Sequence, residues 1–147
     1  MADLTISRQS ISRVNDPNAF RGVDIEEGIS VDEGAPVLLF DEVRFCQANA
    51  LATSNCSGLA LSAGEKPGSV DIKFAGPMTL RTDQWDNITG QVGGLTPHST
   101  YYISAATAGK LTATPPSNPN YIAPIGFALS ATTMMIQIPG NPQQASP

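Results

Sequence analysis

The chain has 147 residues, 14% of them charged, with 13 glycines and 12 prolines. That is the size of one ordinary domain, in a composition that favours strands and turns over long amphipathic helices. Eight Lys and Arg against 13 Asp and Glu leave a net charge of −5, which argues against a nucleic-acid partner. No apolar run approaches the roughly 18 residues of a membrane span, so no membrane partner is expected either. With one histidine and two cysteines, and no CxxC spacing, the usual zinc ligand sets cannot be assembled from one chain. No metal and no cofactor is expected.

Residues 1–22 read as an N-terminal arm. They are polar, with isolated apolar positions at Leu4, Ile6, Ile11, Val14 and, after the turn residues Asn15-Asp16-Pro17-Asn18, Phe20. Leu4-Thr5-Ile6-Ser7 alternates as a strand does, so a first strand of the domain itself is the alternative. Met1–Thr5 lacks the basic lead and apolar stretch of a secretory signal, which points to synthesis in a cytoplasm.

A β-domain is expected over residues 23–140, followed by a flexible tail at 141–147. Its first segment carries Glu26, Glu27, Asp32 and Glu33 around Ile29 and Val31. Without the alternating ligands and fixed glycine of a calcium loop, these acids read as solvated. Val37–Phe40 is an apolar run. Cys46 and Cys56 could pair across a hairpin, but a reducing cytosol favours two buried free thiols. Val70, Ile72 and Phe74 alternate with Asp71 and Lys73, and the Gly64–Gly68 turn makes this run one arm of a hairpin with Leu59-Ala60-Leu61.

Arg81–Gly90 reads as a polar loop in which Trp85 is a lid over the core, since its ring needs burial and its N–H a partner. Asn87-Ile88-Thr89 matches a glycosylation sequon by coincidence. His98, just past Pro97, has no second histidine and no carboxylate in its own loop to orient it, so it is not read as a catalytic base. Asp41-Glu42 and Asp83/Asp86 are the candidate carboxylate pairs, and neighbours in an extended segment face opposite ways. No catalytic residue is assigned. Pro115–Asn120 reads as a rigid exposed loop able to touch a partner.

The chain repeats itself. Gly58-Leu59-Ala60-Leu61-Ser62-Ala63 returns as Gly126-Phe127-Ala128-Leu129-Ser130-Ala131, an offset of 126 − 58 = 68, with Val37–Phe40 upstream of one copy and Tyr101–Ser104 upstream of the other. That spacing is too long for a solenoid unit and suits a small β half-structure used twice, at about 37–76 and 101–138. The expected fold is therefore all-β, a small barrel or sandwich with two related halves and an extended arm. Gly58 and Gly126 are read as points of close backbone packing.

Gly94-Leu95-Thr96-Pro97, Tyr101-Tyr102-Ile103-Ser104, Gly109-Lys110-Leu111-Thr112, Pro115-Pro116 and Pro124–Ser130 together form a pattern that resembles the head-decoration (capsid cement) proteins of tailed bacteriophages. The likeness covers about residues 30–138. One departure is His98, at a turn position that carries glycine in that pattern. The resemblance implies a non-enzymatic virion protein on the capsid exterior. Its partners would be the major capsid protein and neighbouring copies of itself, as a homotrimer, and its task to stabilise the expanded head. Leu4, Ile6, Ile11, Val14 and Phe20 are the expected contact residues. A tail, baseplate or fibre-associated structural protein is the alternative. From another class, a small hydrolase or carbohydrate-binding module would need tuned carboxylates or exposed aromatics such as Trp85.

Overall fold

A computed structural model describes residues 19–25, 29–39, 42–65, 68–138 and 143–145. The order is β1 (Ala19–Asp24), β2 (Ser30–Val31), β3 (Pro36–Leu39), β4 (Val43–Phe45), α1 (Leu51–Ser54), β5 (Gly58–Ala60), β6 (Gly64–Glu65), β7 (Ser69–Lys73) and β8 (Ala75–Thr79). It continues with α2 (Thr82–Thr89), β9 (Thr100–Ile103), β10 (Leu111–Thr112), β11 (Tyr121–Ile122), β12 (Pro124–Ala128), β13 (Thr133–Gln137) and β14 (Gln143–Gln144). Two five-stranded antiparallel sheets dominate, ordered β1-β7-β5-β3-β4 and β10-β9-β12-β13-β8. The protein is all-β and sandwich-like.

Read from its own first strand, each sheet has the same plan. Numbering the five strands of either half in chain order, the spatial order is first, fifth, fourth, second, third. The correspondence reaches single residues. Val37 lies opposite Gly58 as Tyr101 lies opposite Gly126, and Ala60 opposite Ile72 as Ala128 opposite Met134. Offsets are 101 − 37 = 64, 128 − 60 = 68 and 134 − 72 = 62, so the connections differ in length while the strands keep register. The structural units begin earlier than the repeated phrases suggest, each including an edge strand, β1 or β8.

Of the two forms expected, barrel or sandwich, the structure takes the sandwich-like one. Among the described residues neither sheet closes through a ladder; an isolated parallel bridge, Ile25 to Val43, brings the residue after β1 beside the strand at the opposite edge of the first sheet. That sheet is curled rather than closed. A bulge helps the curl: register shifts between Phe20 and Val23, at Gly22 with φ +61°, and the Gly22 N–H donates to Asp71 Oδ1 at 2.8 Å. Asp71, expected on an open face, is consequently buried.

One apolar cluster spans both halves, from Ile25, Val37, Leu59 and Ile72 to Tyr101, Ile103, Ile125 and Ile136. The halves are also joined by backbone bonds. Ala48 N–H donates to Ser104 O and Gly109 N–H to Cys46 O, both at 2.9 Å, and Tyr121 N–H to Ala48 O at 2.8 Å.

Two further departures have local causes. Arg81–Gly90, expected as a loop, contains the helix α2: Gln84 Oε1 accepts the Arg81 N–H at 2.9 Å, Asp83 sits in the first turn, and Gly90 closes the end at φ +73°. Residues 143–145, expected as loose tail, pair with Tyr121-Ile122 and bury Ala145.

Candidate interaction surface

Of the expected contact residues, Leu4, Ile6, Ile11 and Val14 lie outside the described residues. Phe20 is described. It stands in edge strand β1 opposite Ile72, 42% exposed, with its ring centroid 5.0 Å from that of Phe74. The two rings form an apolar edge where the N-terminal segment enters the sheet. Its counterpart by register in the second half, Met78 opposite Met134, is buried.

The described candidate carboxylates around α2 have structural partners. Asp83 pairs with Arg81 at 3.1 Å, a contact that lowers the carboxyl and raises the guanidinium, in both cases chiefly through their shared hydrogen bond. Asp86 instead accepts the N–H groups of Gly93 and Gly94 at 3.0 and 2.7 Å. Asp32 and Glu33 accept from Asn87 and Gln84 of α2 at 2.9 and 2.6 Å; Asp41, Glu26 and Glu27 lie outside the described residues. Cys46 and Cys56 are buried free thiols, and burial first, then the neighbouring Cys56, pushes the Cys46 thiol well up. The open groove of about 340 Å³ beside Pro115 and Pro116 is lined by apolar, hydroxyl and amide residues, none of them titratable.

Trp85 is buried with its Nε1–H donating to Thr132 O at 2.8 Å. It serves as the lid over the core, from a helix rather than a loop. The sequon lies inside that helix, its Ile88 buried and its Thr89 hydroxyl donating to Trp85 O at 3.0 Å. A folded helix presents no extended acceptor there.

The turn at His98 gathers the clearest surface feature. His98 has φ +69°, its N–H donates to Ala128 O at 2.8 Å, and Ser99 N–H donates to Thr96 O at 3.2 Å. This is a tight turn with a left-handed third residue and Pro97 as its second. Alongside it runs the loop 91–95. Tyr101, fully buried, donates its hydroxyl to Gln91 Oε1 and accepts the Thr96 N–H at 2.8 Å; Gln91 Nε2 donates to Thr96 Oγ1 at 3.0 Å. Leu95 N–H donates to Ala131 O at 2.9 Å. On this braced frame Val92 is 97% exposed and Leu129 44% exposed, and Pro97 and His98 are exposed as well. Sequence reasoning singled out only the turn. The available signal for the rest was the Gly93-Gly94 pair seven and eight residues after Asp86, whose meaning depended on the helix that the structure places there.

Comparison with protein-family models, curated proteins and solved structures found no match.

Proposed function

We propose that this chain is a non-enzymatic structural protein of a bacteriophage virion, which binds the outer surface of the capsid and stabilises the expanded head. The observation that carries this reading is the apolar edge at Phe20 and Phe74, reached directly by an N-terminal segment bearing Leu4, Ile6, Ile11 and Val14. Such a segment, joined to a body with exposed loops, suits a protein that fastens neighbouring subunits, and many weak contacts acting together stiffen a shell. The low charge density and the resemblance of residues 30–138 to capsid cement proteins support the same reading. The partners are then the major capsid protein and further copies of this chain, as a homotrimer.

The test is addition of the purified protein to expanded and unexpanded empty heads. Binding to expanded heads alone, at hundreds of copies per particle, is expected; a handful of copies would instead indicate a tail or fibre part. A variant lacking residues 2–18 keeps Ala19 and Phe20 in β1, and so keeps the fold while losing binding. Unchanged binding of that variant overturns the role given to the segment.

A further inference from the structure

The internal repeat provides a comparison within one molecule, and the comparison singles out Asp71. Leu61 N–H donates to Asp71 O at 2.7 Å as Leu129 N–H donates to Thr133 O at 2.8 Å. Asp71 N–H donates to Ser62 Oγ at 3.3 Å as Thr133 N–H donates to Ser130 Oγ at 3.1 Å. The offsets are those of the repeat itself: 129 − 61 and 130 − 62 are both 68, and 133 − 71 is 62. Asp71 and Thr133 therefore hold one backbone position, built twice.

What the two side chains do there differs. The Thr133 hydroxyl bonds that of Thr79, its partner in β8, at 2.8 Å, and β8 pairs with β13 over five consecutive residues without a shift. Asp71 is buried, and its Oδ1 accepts a backbone amide of the edge strand, the Gly22 N–H, at 2.8 Å. That amide lies in the bulge between Phe20 and Val23, at φ +61°.

The sheet plan does not require this device. The second sheet forms the matching edge in regular register, and neither β8 nor β13 contains an acidic residue. A buried carboxyl group costs stability unless it is bonded, so its place at this one edge calls for a local reason. The two edges differ in what they carry. β8 follows β7 through Phe74 alone, whereas β1 begins directly after residues 1–18. An extra residue in a strand bends it and adds twist. On the N-terminal side of the bulge Ala19 and Phe20 lie opposite Lys73 and Ile72, which brings the Phe20 ring to Phe74. The bond from Gly22 to Asp71 thus fixes the place in the ladder from which the chain departs.

We propose that Asp71 is a positioning residue for partner binding: by holding the Gly22 bulge it sets the placement of Ala19 and Phe20, and with it the direction in which the N-terminal segment leaves the body. That the segment meets the shell rests on the functional reading above; the hold on the bulge does not.

The experiment compares the full-length chain with three variants. Asp71→Thr installs the residue of the matching position, and Asp71→Asn keeps an oxygen acceptor. Gly22→Ala penalises the left-handed backbone without a clash, since an added Cβ meets nothing within 4 Å. Amide hydrogen exchange reads the hold on the bulge, and binding to expanded heads reads its consequence. In Asp71→Thr the Gly22 amide exchanges about tenfold faster or more, while the amides of β3 and β5 keep their protection. Affinity for heads falls by about tenfold or more in Asp71→Thr and in Gly22→Ala, and stays within about threefold of the unaltered chain in Asp71→Asn. Unchanged exchange at Gly22 in Asp71→Thr overturns the hold on the bulge, and so does a loss of protection spread over the whole first sheet. Faster exchange at Gly22 with full binding to heads overturns the positioning role and leaves the functional reading in place, as does an Asp71→Asn variant that falls as far as Asp71→Thr. No binding by the unaltered chain overturns the functional reading and the role in shell binding with it.

Discussion

His98 bears a cost that Gly34 avoids at the matching place in the first half, where the Gly34 N–H donates to Ala60 O as the His98 N–H does to Ala128 O. At φ +69° a side chain crowds the backbone, whereas Gly34 reaches +88° without a Cβ. The substitutions His98→Gly and Gly34→Ala should therefore move stability in opposite directions. The first relieves strain of roughly 1–2 kcal/mol and loses about 0.4–1 kcal/mol to the greater freedom of the unfolded chain, for a net gain of about 0–1.6 kcal/mol. The second adds the strain and a contact with Leu80 at 2.9 Å. Gly58 and Gly126 are constrained differently: a Cβ at either would strike a backbone carbonyl, Lys73 O or Met135 O. Since backbone in a ladder cannot swing aside, Gly126→Ala should cost about 3 kcal/mol, the upper part of the usual range for overpacking. Urea denaturation of the three variants separates these expectations; an unchanged midpoint for Gly126→Ala would contradict the close packing. The need for glycine at both positions was legible in the sequence, because the same small residue recurs inside two strand-like phrases. The left-handed turn at His98 was legible only as a departure from a pattern.

At the scale of elements, alternation identified β7, and the Gly64–Gly68 turn paired it with β5; in β13 one face is buried and the other partly open, whereas in β7 Asp71 between Val70 and Ile72 is buried as well. It failed at α2. Eight residues with Asn, Asp and three Thr or Ile have weak helix propensity, and the stretch is too short for a periodic signal. What stabilises the helix is tertiary: Trp85 and Ile88, one turn apart, enter the core, and Gln84 and Asn87 hold Glu33 and Asp32. The pairing of Trp85 with Ile88 and the closing Gly90 were visible, but their meaning depended on a core supplied from elsewhere in the chain. Trp85→Phe keeps most of the apolar burial and removes the donor to Thr132 O, so it should cost about 1–3 kcal/mol. Hydrogen exchange is the direct measurement. Protection should fall first in α2 and in the Gly93 and Gly94 amides that Asp86 holds; uniform loss across both sheets would mean that the helix is not a separate cap.

For the whole molecule, the duplication raises the question of whether two similar halves behave as two folding units. The repeated phrase indicated kinship but not docking, because the residues that join the halves, Cys46, Ala48, Ser104, Gly109 and Tyr121, lie outside it. The joint is made of backbone bonds, and of Gly109 seated against the Phe45 ring, where an added Cβ would approach Cδ1 at 2.6 Å. Shared burial points the same way. The apolar cluster runs without a break from one sheet into the other, so neither half can lose its partner without exposing core residues such as Ile103, Leu59 and Ile125. Both facts argue for one cooperative transition, with the calorimetric enthalpy of unfolding equal to the van't Hoff value. Gly109→Val supplies the sharper test, since a branched side chain at φ +74° both strains the turn and drives into Phe45. If the halves depend on the joint, the variant melts earlier and still in a single step. Two resolved transitions, one of them at the temperature of the unaltered protein, would show instead that one half stands alone.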